Sequence, residues 1–136
     1  MDADEAREFI RKNHRAVLAT NRADGNPQMS PVAADVDPEG MVVVSSRETA
    51  MKVKNLRRDP RASLIALSDG WWGPWVQVDG RAAIVSLPEA MEGLVEYYRR
   101  VAGEHDDWDE YRAAMEKERR VLIRITVDRA GPDKSG

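Results

Sequence analysis

The run from Lys52 to Leu64, KVKNLRRDPRASL, gathers Lys52, Lys54, Arg57, Arg58 and Arg61 in a chain whose formal net charge is −3. Ammonium and guanidinium groups at that density are suited to anions, above all phosphate. On a helix, Lys52 and Asn55 share one ridge at i, i+3, while Lys54, Arg57, Arg58 and nearby Arg61 occupy the adjoining face. A compact ammonium beside an adaptable amide suits a phosphate, and a helix that starts directly after a strand adds free backbone N–H groups. The arginine face has a plainer account: cations at a helix C-terminus, solvated and paired with Asp59 or with acidic helices. Spacing alone leaves both readings open.

Little else in the sequence carries chemistry. The chain has no cysteine, which excludes disulfides, thiolate nucleophiles and thiolate-held metals or clusters. The histidines, His14 and His105, lie far apart and each reads as structural or exposed, so no metal site is expected. No Ser-His-Asp or paired-carboxylate pattern stands out, and no catalytic acid or base is assigned. Trp71, Trp72 and Trp75 surround a Gly-Pro loop, where they either wall an apolar pocket or pack into a core or interface. Tyr97, Tyr98 and Met91 fall at helical spacings and read as packing residues. A pI near 5.5 argues against a nucleic-acid partner. No apolar run approaches the roughly 20 residues that span a bilayer, and Asp2, Asp4, Glu5 and Glu8 precede any apolar run, the wrong order for a secretory signal. A cytoplasmic protein without a membrane partner is expected.

The elements that must position these residues follow from periodicity and turn chemistry. With 42% hydrophobic and 33% charged residues in 136, the composition is that of one soluble globular domain, expected over 1–127, with 128–136 a mobile tail. Residues 4–13 predict a short amphipathic helix with acids early and bases late. RAVLATN (15–21) and PQMSPVAADV (27–36) predict two strands joined by an Asp24-Gly25 hairpin, with Pro31 marking the second as an edge. After an Asp37–Gly40 turn, MVVVSS (41–46) completes a three-stranded meander. A helix over 49–58 carries the cationic cluster and stops at Asp59-Pro60. Strands are predicted over 61–68 and 75–86, with Gly80 as a bulge or barrel bend. Helices over 88–102 and 106–119 precede a last strand, 120–127, with one wet face. Six strands with helices at the ends and crossovers predict an α+β, mainly β fold built on a small antiparallel barrel.

Taken in order, Val17-Leu18-Ala19-Thr20, then Asp24-Gly25-Asn26-Pro27-Gln28-Met29-Ser30-Pro31-Val32, then the Lys52–Leu64 run resemble the pyridoxamine-phosphate-oxidase-like, flavin-binding split β-barrels. The segment Tyr98 to Met115, followed by Arg119-Arg120-Val121-Leu122, is similar to the branch of deazaflavin (coenzyme F-420) dependent oxidoreductases rather than to the FMN oxidases. The resemblance covers nearly the whole chain. It implies a six-stranded antiparallel split β-barrel and a homodimer with two cofactor sites at the interface, each drawing on both chains. Lys52, first in the KxKN run, is implied to hold cofactor phosphate, with Lys54 and Asn55 in support. Many members carry Arg two residues before that lysine, where this chain has Ala50. The cofactor ring is implied to lie against the second and third strands, near Gln28, Ser30, Pro31, Val32, Ser45, Ser46 and Thr49. Trp72 and Trp75 are further candidates for its walls. The implied activity is hydride transfer from reduced 8-hydroxy-5-deazaflavin coenzyme F-420 to a small conjugated acceptor: an enone, a quinone-like molecule or a tetrapyrrole. An FMN-binding oxidase or reductase of the same barrel, and a non-enzymatic F-420 or flavin carrier dimer, are the alternatives.

Overall fold

The computed structural model describes residues 1–134. In chain order the elements are α1 (Ala3–Lys12), β1 (Arg15–Asn21), β2 (Pro27–Ala33), β3 (Asp35–Val36), β4 (Val42–Arg47), α2 (Met51–Arg58), β5 (Arg61–Leu67), β6 (Trp75–Val85), α3 (Met91–Ala102), α4 (Trp108–Lys117), β7 (Arg120–Ile125) and β8 (Arg129–Asp133). A capping box starts α1: the Asp2 carboxylate accepts from the Glu5 N–H while the Glu5 side chain accepts from the Asp2 N–H. In β1 the alternation is plain, with Ala16, Leu18 and Thr20 buried and their neighbours half-exposed.

All pairings are antiparallel, and the strand order is β2-β1-β5-β6-β7-β4-β3, with β8 added to β6. The two ends of this sheet, β2 and β3, come from one continuous stretch of chain, so the sheet curls into a barrel. Its split lies along β6, whose first part (Trp75–Arg81) pairs with β5 and whose second part (Ala82–Val85) pairs with β7. Gly80 is the bend between them. A Cβ there would sit 1.6 Å from the Thr126 carbonyl oxygen, so only glycine lets the two backbones cross.

Two cores result. Leu18, Val44, Val53, Leu64, Val78 and Ile123 belong to the barrel interior. Val43 and Leu122 face the other way, onto Leu94, Val95, Tyr111 and Met115 of α3 and α4.

The architecture is the expected α+β barrel, but with eight strands rather than six. The predicted strand 27–36 divides at Ala34, whose N–H donates to the His14 carbonyl at 2.8 Å and takes the chain from one end of the sheet to the other. For that reason β4 does not complete a meander; it pairs with β7 and β3. The wet face expected of the last predicted strand is partly covered: Leu122 is buried under α3 and α4, while Arg120 and Arg124 on the same face stay half-exposed. The expected tail contains β8, where Arg-Ala-Gly-Pro-Asp, poor in strand formers, is held by pairing with β6. Ser135 and Gly136, also assigned to that tail, lie outside the described residues.

Candidate functional site

Where the barrel's two ends approach, β2 and β4 run side by side without pairing and leave an open groove of about 370 Å³. One wall is Pro31, Val32 and Ala33 of β2; the other is Ser45, Ser46 and Arg47 of β4. Ala50 and Lys52 of α2 and Arg120 of β7 close one end. At the β2 wall, the Tyr97 hydroxyl donates to the Ala33 carbonyl at 2.7 Å and pins that strand to α3.

The Lys52–Arg120 end has the electrostatics of an anion site. Lys52 makes no ion pair among the described residues, and its pKa is lowered, first by burial and then by the Arg120 charge. Arg120 stands directly opposite Arg47 across the β4–β7 pair, placing a second like charge nearby. Glu118 bridges these two guanidiniums, at 2.8 Å to Arg120 and 3.5 Å to Arg47, and Arg120 above all holds the Glu118 carboxyl below the usual range. Helix α2 begins at Ala50 with no side-chain cap and no acid in its first turn, so its leading N–H groups are available as well. A half-buried ammonium, two guanidiniums sharing one carboxylate and an uncapped helix start favour an anion with several acceptor oxygens.

The predicted site residues divide. Pro31, Val32, Ser45, Ser46 and Lys52 converge on the groove. Gln28 and Ser30 lie further along β2 on the face they share with Thr20 and Leu18. The Gln28 carboxamide is engaged by Thr20 at 3.4 Å and by the Met29 carbonyl at 3.2 Å. The Ser30 hydroxyl is buried with no partner among the described residues, leaving one donor and acceptor unspent on the strand that walls the groove. Thr49 is exposed in the turn before α2, and Lys54 is exposed on that helix.

Asn55 is only 1% exposed. Its Nδ2 donates to Thr20 at 3.1 Å and its Oδ1 accepts from Arg58 at 3.1 Å, so it locks α2 onto β1 rather than facing the groove. Trp72, 84% exposed, projects with Trp71 from the β5–β6 loop, and Trp75 lies half-buried at the start of β6 opposite Leu67. The arginines are spent within the chain: Arg57 on Glu48, Arg58 on the Asn21 carbonyl and Asn55, Arg61 on Asp59. Sequence reasoning missed Arg120 as part of the groove and Tyr97 as the residue that pins its β2 wall. The Arg119-Arg120 pair at a strand start was visible, but only the β4–β7 register sets Arg120 beside Lys52.

The profile of the family described as pyridoxamine 5′-phosphate oxidase matches residues 3–132. A Mycobacterium tuberculosis (strain CDC 1551 / Oshkosh) protein named F-420H(2)-dependent biliverdin reductase is 29% identical over 129 residues, covering 93% of this chain and 85% of the relative. Among solved structures, the conserved hypothetical protein Rv2991 from Mycobacterium tuberculosis superposes with a TM-score of 0.78 at 28% identity, over 96% of this chain and 82% of its own. A structure named F-420 reductase superposes with a TM-score of 0.68 at 20% identity, over 93% of each chain, a likeness of fold.

Proposed function

Since the chain belongs to the pyridoxamine 5′-phosphate oxidase family, we propose that it is a cytoplasmic reductase that uses reduced coenzyme F-420, held in the groove between β2 and β4, to reduce a small conjugated acceptor such as an enone, a quinone-like molecule or a tetrapyrrole. The observation that carries this reading is Lys52: a half-buried ammonium with no ion pair among the described residues, beside Arg120 and an uncapped helix start. The relative named as an F-420H(2)-dependent reductase supports the deazaflavin over FMN, whose phosphate the same residues would suit.

The residues present fit such a group. Lys52, Arg120 and the first N–H groups of α2 would hold the phosphate; Pro31, Val32 and Ser45 would lie against the ring; the unspent Ser30 hydroxyl is a further polar contact along β2. When bound, reduced F-420 supplies a hydride to an electron-poor carbon of the acceptor. The chain's own work is binding, orientation and exclusion of water. Pro31 contributes by lacking an N–H, and β2, at the end of the sheet order, keeps free backbone groups along the groove.

One chain leaves the groove open. The outer face of the sheet next to it carries Met29, 64% exposed and diagonal to half-buried Val17, which pairs in register with Pro31 of β2 and half-buried Ile65 of β5. A second copy seated on that face would cover the apolar patch and stand over the groove mouth, so the working unit is a homodimer.

Titration of the protein with F-420 and with FMN, following tryptophan fluorescence, tests the cofactor. Saturable F-420 binding is expected, and tight FMN binding with no response to F-420 would sink the reading. An anaerobic panel of quinones, enones and tetrapyrroles with reduced F-420 tests the activity. If F-420 binds but no acceptor is consumed, the protein is a carrier and not a reductase.

A further inference from the structure

On the far side of Arg120 lies a second and larger cavity, of about 670 Å³. Its floor is apolar, made by Leu87 and Pro88 before α3, Met91 on that helix and Val121 on β7. Charged residues line its rim, and most already have partners. Arg120 pairs with Glu118 at 2.8 Å, Arg112 with Glu92 at 3.0 Å, and Glu48 with Arg57 at 2.8 Å. Arg119 has no ion pair among the described residues, and neither has Glu116.

Arg119 stands out for a second reason. It follows the C-cap of α4 with φ at 53°, the left-handed conformation in which glycine is the usual and unstrained residue. Its backbone is fixed from both sides, the N–H donating to the Glu116 carbonyl at 3.1 Å and the carbonyl accepting from the Glu48 N–H at 2.9 Å. An arginine at a glycine position, exposed over an apolar floor and without an ionic partner, is strain maintained where a side chain is needed.

We propose that this cavity binds an apolar molecule bearing a single carboxylate, with Arg119 as its counter-ion. Glu48 and Glu116 on the rim select against polyanions, and the Leu87, Pro88, Met91 and Val121 floor takes the apolar body. The site adjoins the β2–β4 groove through Arg120 but takes its counter-ion and its apolar floor from residues that do not line that groove.

2-Naphthoate is the probe, titrated into the full chain and followed by amide chemical shifts. Saturable shifts are expected at Met91, Arg119 and Val121. The Arg119→Gly variant is expected to lose about tenfold or more in affinity, as does the neutral 2-naphthamide on the parent protein. Because glycine relieves the backbone at that position, the variant should melt no lower than the parent, which separates loss of the site from loss of fold. The proposal is overturned by unchanged naphthoate affinity in Arg119→Gly, by equal binding of the amide, by shifts confined to Lys52 and Ser45, or by no saturable binding.

Discussion

Lys52 and Asn55 are neighbours on one helical ridge with opposite fates. Lys52 ends at the groove with its ammonium unpaired, and Asn55 turns inward to Thr20 and Arg58. The amide of the KxKN run thus acts as a positioning residue: it ties α2 to β1 so that the lysine three residues earlier meets the groove. Lys52→Ala should weaken cofactor binding by about 1 to 3 kcal/mol, the worth of a charge-assisted phosphate bond, and leave the melting temperature nearly unchanged. Calorimetric titration checks this, and unaltered affinity removes Lys52 from the site. Because the Lys52 pKa is lowered, binding should also weaken with rising pH earlier than an ordinary lysine would cause. Asn55→Ala should behave differently, costing about 1 to 3 kcal/mol of folding stability by removing the buried hydrogen bonds to Thr20 and Arg58. Urea denaturation midpoints measure it; a variant as stable as the parent would show that the α2–β1 link is not structural.

Among the elements, β6 and α4 carry the clearest demands. Strand β6 serves both halves of the split barrel, and Gly80 is where it changes partner. Gly80→Ala should cost about 3 kcal/mol or more or prevent folding, since the added methyl has no room beside the Thr126 carbonyl. A soluble variant with the parent's denaturation midpoint would refute the crossing. On α4, the buried Tyr111 hydroxyl donates to the Leu94 carbonyl at 2.8 Å, and burial raises its pKa to about 12. With an ordinary tyrosine value of about 10, the folded state holds this proton more tightly than the unfolded state. Its contribution is therefore complete below about pH 10 and is lost as the pH rises towards about 12. Tyr111→Phe should show a shallower alkaline fall in stability than the parent, read from urea midpoints. Equal slopes would mean that the phenol does not stay protonated on folding.

For the whole molecule, the outer face around Val17, Met29 and Ile65 is the dimer interface proposed above. Ile65→Arg places a charge on this face without entering the barrel core, because Ile65 alternates with buried Leu64 and Ala66. Sedimentation should show the parent as a dimer and the variant as a monomer, with cofactor affinity falling in step. A dimeric variant would move the interface elsewhere. A monomeric variant with full cofactor affinity would show that one chain completes the site.

Local chemistry was enough to determine much of this protein. The Asp24-Gly25 hairpin, the stop at Asp59-Pro60 and the alternation in RAVLATN and RASLIAL specify short-range geometry, and the structure has a turn, a helix end and two strands there. The cationic run was also visible as a helix with one phosphate-suited lysine, because ridge spacing depends only on the helical period. Tertiary structure decided what depends on distant pairing: the strand character of RAGPD, the break at Ala34 that carries the chain between the barrel's ends, and the burial of Leu122 under α3 and α4. It also decided which cations are free. Arg57 and Arg58 look as available as Lys52 along the chain, yet their partners Glu48 and Asn21 are set by how α2 packs on the barrel, whereas Arg61 pairs with its chain neighbour Asp59. Arg120 joins Lys52 only because the β4–β7 register brings residues far apart in sequence to one end of a groove. Spacing determines which side chains share a helix face; only the folded barrel determines what that face meets.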